Sequence, residues 1–81
     1  MVKVLLFGRL GDQAGWRERD FDPPPATLSI LKALITAEDG PLGAALGGAG
    51  VQAAVDRNIV RGDVALTATA EVAFLPPMSG G

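Results

Sequence analysis

The chain has 81 residues, a formal net charge of −2, 48 % hydrophobic residues and neither cysteine nor histidine. A chain of this length buries only about 60 % of the surface it exposes when unfolded, so it supports one modest aliphatic core. The inventory excludes a disulfide staple, a thiolate or imidazole metal site and a Cys- or His-based active site, and the acidic balance excludes the basic face that nucleic acid demands. The apolar run at residues 4–7 is far too short for a signal-peptide core, and no stretch approaches the ~20 apolar residues of a membrane span. A cytoplasmic protein with no membrane or nucleic-acid partner is therefore expected.

Residues 2–7, VKVLLF, read as a β-strand closed by Gly8. Residues 9–15 read as a loop or one short helical turn. The next segment, 16–21 or WRERDF, fits an outer strand with exposed charges, stopped by Pro23, Pro24 and Pro25 because proline gives a ladder no N–H donor. Together the two strands make a hairpin. Thr27 is placed to cap a helix over 28–37, with Leu28, Leu31, Leu34 and Ile35 on one stripe. The Gly- and Ala-rich segment 38–50 reads as a surface connection in which Pro41 opens a short helical turn that Gly47 and Gly48 end. A strand at 51–55 leads into the turn residues Asp56, Arg57 and Asn58, the apolar pair Ile59 and Val60, and a second turn at Arg61, Gly62 and Asp63. The last strand, 71–75, stops at Pro76 and Pro77. These elements predict a single α+β domain over 1–81, a mixed sheet of about five strands covered on one face by one main helix, in the order of a β-grasp fold.

Side chains alternate across a strand, so Val2, Val4 and Leu6 share one face of the first strand, and Lys3, Leu5 and Phe7 share the other. In the last strand Val72 and Phe74 separate from Glu71, Ala73 and Leu75. Charged Lys3 and Glu71 mark the solvated face. Val4, Leu6, Val72 and Phe74 are then core, whereas Leu5, Phe7 and Leu75 form an apolar cluster on the open face, the pattern of a docking surface.

Beyond the proline stop the chain reads Met78, Ser79, Gly80, Gly81. Pro76 and Pro77 are expected to end strand pairing and project the last residues away from the body in a stiff, extended form. Without a Cβ, Gly80 and Gly81 are thin enough to thread a narrow channel. A terminal carboxylate, with a reference pKa of about 3.3–3.7, is ionised at neutral pH and is a nucleophile toward the α-phosphate of ATP. In a chain poor in catalytic side chains, that group is the candidate reactive centre.

The ending Glu71-Val72-Ala73-Phe74-Leu75-Pro76-Pro77-Met78-Ser79-Gly80-Gly81 closely resembles that of the small subunits of molybdopterin synthase. The opening from Lys3 to Phe7 and the stretch from Ala53 to Val60 are similar to that family as well. The resemblance implies a ubiquitin-like β-grasp sulfur carrier that is itself noncatalytic and binds no cofactor. It implies that Gly81 is activated by an adenylyltransferase using ATP and Mg²⁺, receives sulfur from a donor protein, and becomes a thiocarboxylate. It also implies a large catalytic subunit as partner, in a 2+2 heterotetramer. That subunit takes the tail, Pro76, Pro77, Met78, Ser79 and Gly80 included, and uses the Gly81 sulfur to convert a cyclic pterin precursor into its dithiolene. By the same resemblance Phe7, Ile59 and Leu75 form the shared hydrophobic surface. The chain departs from the family in Thr67-Ala68-Thr69-Ala70, where an acidic, glycine-containing turn is usual, and in the small residues of 38–50. A carrier for thiamine, cysteine or tRNA thiolation, a ubiquitin-like modifier of lysines and a binding module with an inert tail are the other readings.

Overall fold

The structure, a computed structural model, describes residues 1–77. Its elements are β1 (Val2–Leu6), α1 (Arg9–Ala14), β2 (Glu18–Phe21), α2 (Leu28–Glu38), α3 (Gly40–Leu46), β3 (Gln52–Val55), β4 (Asn58–Val60) and β5 (Glu71–Leu75). The five strands form one sheet in the order β2-β1-β5-β3-β4. β1 and β5 pair in parallel at its centre, and the outer pairings are antiparallel. A parallel central pair requires a crossover, which the helices between the two hairpins supply.

Val2, Val4 and Leu6 from β1 and Val72 and Phe74 from β5 are all at most 2 % exposed, so the face assigned by alternation is the core face. Leu28, Leu31 and Ile35 of α2 pack onto it. Leu34, placed on the same stripe from the sequence, is instead 42 % exposed. At about 100° per residue it falls to the flank of the line through Leu28, Leu31 and Ile35, where the sheet no longer reaches it.

The start of α2 is held from two directions. Thr27 Oγ1 accepts the Ile30 N–H at 3.2 Å, the cap that its position predicts. Asp63 accepts the Ser29 N–H and the Ser29 hydroxyl, each at 2.8 Å, and these two donors hold its carboxyl below the usual carboxylate range. The segment after Asp63 is tied down by Leu28 N–H to Val64 O and Leu66 N–H to Ala26 O.

The segment 38–50 is more than a connection. Asp39 ends α2 and caps α3, accepting the Leu42 N–H at 3.0 Å, and Leu42 and Leu46 are buried in the core. Gly43 lets α3 approach α2 closely: a Cβ there would lie 2.7 Å from Thr36 Cβ. Leu10 of α1 is also buried. The core face is therefore covered by α2 with two short helices beside it, rather than by α2 alone.

Candidate functional site

Among the described residues no helix covers the opposite face, and strand register fixes what it displays. Leu5 pairs with Ala73, Ala73 with Ala54, and Ala54 with Ile59, which sets one row of apolar residues across four strands. Ile59 thus joins the face of Leu5 although its strand is only three residues long. The turn into that strand has Asp56 and Arg57 at φ 49° and 71°, the tight two-residue geometry that returns a chain on itself with the right hairpin twist. In the next row Phe7 comes after Leu6, whose partner is Phe74, and donates its N–H to Phe74 O at 3.1 Å, so Phe7 flanks Leu75.

Phe7 is 46 % and Ile59 49 % exposed, while Leu5 and Leu75 are half-buried. Ala54 and Ala73 between them keep the centre of the face shallow. At the far end of β1, Lys3 lies 3.6 Å from Glu18, so charge begins where the apolar rows stop. An apolar centre with a charged border is the anatomy of a protein-docking face. Its apolar end is also the end at which β5, the central strand, leaves the sheet.

Pairing of β5 ends at Leu75, opposite Gln52, as the proline stop requires. Pro76 and Pro77 end the pairing while themselves seated against the body, and the residues that they are expected to project lie beyond the described ones. Both are half-buried beside Gly8, in the β1–α1 turn, and Gly50, ahead of β3. The β1–α1 turn is itself braced by Arg17, which donates to Gly8 O at 3.3 Å and pairs with Asp12. The predicted tail residues Met78, Ser79, Gly80 and Gly81 lie outside the described residues.

An open trough of about 550 Å³ begins at Ile59, on the edge of this face, and is lined further by Ser29, Lys32, Gln52, Arg61 and Asp63 among others. Its one carboxylate is already engaged by Ser29. No group of His, Cys, Asp and Glu side chains suited to a metal ion occurs among the described residues, and no helix among them is long and apolar enough to cross a membrane. The arrangement offers an open apolar face with Pro76 and Pro77 seated at one end of it.

Solved structures share this architecture. The small archaeal modifier protein 1 of Methanosarcina acetivorans superposes with a TM-score of 0.85, at 23 % identity, over 99 % of this chain and 95 % of that one. The protein of the same name from Haloferax volcanii gives 0.74 at 21 % identity, over 99 % and 98 %. The fold is thus a ubiquitin-like β-grasp, as the element order predicts. Residues 4–81 match the ThiS family. The molybdopterin synthase sulfur carrier subunit of Escherichia coli is 32 % identical over 81 residues, the full length of both chains. The chain belongs to the ThiS family, and with it to the ubiquitin-like sulfur carriers.

Proposed function

We propose that this protein is the sulfur-carrier subunit of a molybdopterin synthase and that its working group is the Gly81 carboxylate. The observation that carries this reading is the full-length similarity to the Escherichia coli subunit, which aligns to the final residue of both chains. The apolar face opening beside the root of the tail supports it independently. In the first step a carboxylate oxygen of Gly81 attacks the α-phosphate of ATP on an adenylyltransferase, releasing pyrophosphate and leaving an acyl-adenylate. A hydrosulfide equivalent from a sulfur donor then adds at the acyl carbon; AMP leaves, one proton is released, and the terminus becomes a thiocarboxylate. The large subunit supplies the catalytic groups that pass this sulfur to the pterin precursor. Phe7, Ile59 and Leu75 dock on each partner in turn, and Pro76, Pro77, Met78, Ser79 and Gly80 lead Gly81 into its active site.

Mass spectrometry tests the reading. Incubated with an adenylyltransferase, Mg²⁺, ATP and a sulfur donor, the protein gains one oxygen-to-sulfur exchange at Gly81. Deleting Gly81, or adding one residue after it, abolishes the exchange without unfolding the domain. One added residue moves the carboxylate by up to about 3.3–3.6 Å, beyond what near-attack geometry tolerates. Sulfur incorporated equally well by the shortened or lengthened chain refutes the proposal. An isopeptide bond to lysine in place of the exchange favours the modifier reading, which the archaeal fold neighbours make the leading alternative.

A further inference from the structure

The tail leaves the sheet between two loops, and each of them meets it with a glycine. Strand β5 has β1 on one side and β3 on the other. Gly8 lies just beyond β1, and Gly50 shortly before β3. A Cβ on Gly8 would lie 3.0 Å from Pro76 Cγ, and a Cβ on Gly50 would lie 2.7 Å from Pro77 Cβ and 3.6 Å from Pro77 Cα. Both glycines have positive φ, 55° and 82°. Gly15 and Gly62 also have positive φ, 82° and 73°, yet nothing lies within 4 Å of a Cβ built on either. Backbone conformation alone therefore accounts for those two glycines, whereas Gly8 and Gly50 are in addition the places where the two prolines seat.

We infer that Gly8 and Gly50 are positioning residues, forming a two-sided clasp on Pro76 and Pro77 that fixes the direction in which the tail leaves the body. The inference rests on the carrier reading. Proline has a fixed φ near −65°, so a chain seated at two consecutive prolines has little freedom left at its root. A docked partner then meets a tail whose root at Pro76 and Pro77 is already placed, and the ordering cost of placing that root is lowered in advance. Widening the clasp from one side redirects the root without touching the docking face or the reacting atoms.

The test separates aim from strain. Gly50→Ala adds a Cβ against Pro77 at φ 82°, and Gly15→Ala adds one at the same φ with open space around it. In ATP–pyrophosphate exchange on the adenylyltransferase, Gly50→Ala is expected to lower kcat at least tenfold with KM within twofold of the parent, since docking is intact and the carboxylate is misplaced. Gly15→Ala is expected to lower the melting temperature but leave kcat unchanged. Should Gly50→Ala fail to fold, Gly8→Ala, whose Cβ meets only the ring carbons of Pro76, decides by the same kcat criterion. A parent-like kcat in the folded clasp variant, or an equal loss of kcat in Gly15→Ala, overturns the clasp. A parent that supports no exchange overturns the carrier reading itself, and the clasp with it.

Discussion

Docking through the open face is tested by placing one charge in it and an equal charge elsewhere. Phe7 is 46 % exposed at the edge of the apolar rows, and Ile30 is also 46 % exposed, but on α2, which covers the opposite face of the sheet. An aromatic side chain offers ~150–250 Å², so roughly 70–120 Å² of Phe7 is free, and covering it is worth ~2–3 kcal/mol at about 25 cal/mol per Å². With a tenfold change for every ~1.4 kcal/mol, Phe7→Asp should weaken Kd for the large subunit or the adenylyltransferase by roughly 30- to 150-fold. Ile59→Asp, from a side chain 49 % exposed on the same face, should do the same. Ile30→Asp should leave Kd within about twofold, because hot spots cluster within the interface and surface changes elsewhere are close to neutral. Isothermal titration, with circular dichroism to confirm that each variant is folded, gives the answer. If Ile30→Asp weakens binding as much as Phe7→Asp, or if folded Phe7→Asp binds like the parent, the face is not the docking surface.

Two further predictions concern the body of the domain. Leu31→Ala should cost about 2–5 kcal/mol and Leu34→Ala about 1 kcal/mol, because only Leu31 is fully enclosed, and at roughly 4–8 °C per kcal/mol the two thermal melts separate clearly; coincident melts refute the assignment of α2 faces. Asp63 has its folded pKa lowered by the Ser29 N–H and hydroxyl, so its contribution to stability is present above the unfolded value of about 3.9 and is lost as pH falls through the folded value. Asp63→Asn should therefore lower the urea midpoint near neutral pH and flatten its dependence on pH below about 4, whereas an unchanged slope in that window means that the carboxylate does not support the start of α2.

The two central strands were legible because each carries a charge on its solvated face. Lys3 and Glu71 sort the alternation of β1 and β5 without knowledge of their pairing, and Lys3 does in fact lie opposite Glu71 in the sheet. Ile59 has no such marker. In a strand of three residues alternation decides nothing, and only the register Ala54 to Ile59 assigns its face. The helical turn that Pro41 opens and Gly47 ends was legible as α3, but its packing was obscured by composition: among glycines and alanines, Leu42 and Leu46 are the whole apolar signal, and their spacing of one helical turn is too short a pattern to distinguish a packed helix from a surface one. Leu34 failed for the opposite reason, because a leucine near the stripe reads as core until the width of the sheet beneath it is known. The seating of Pro76 and Pro77 on Gly8 and Gly50 was hidden because it joins segments distant in sequence, and glycine gives no side-chain signal of contact. The chemistry proposed for the terminus rests on the ending itself, where residue types and their order carry the argument.

The geometry also limits where a partner's reactive centre sits. Between Pro77 and the end of the chain there are four residues, Met78 to Gly81. At most ~3.3–3.6 Å per residue, they reach about 13–14 Å. Phe7 and Leu75 lie at the end of the sheet where Pro76 begins, so a partner covering them is already within that reach. Under the proposed function docking and delivery are one event: the face that would supply binding energy sets the distance from which the terminus is taken up, and a tail of this length would admit only active sites close beside that face. The same constraint would hold for the proposed thiocarboxylate and for the alternative isopeptide, since both readings begin with attack on ATP. What would distinguish the two readings is the nucleophile that meets the acyl-adenylate, a sulfur in one case and a lysine amine in the other, and a partner rather than this cysteine-free chain would have to bring that sulfur.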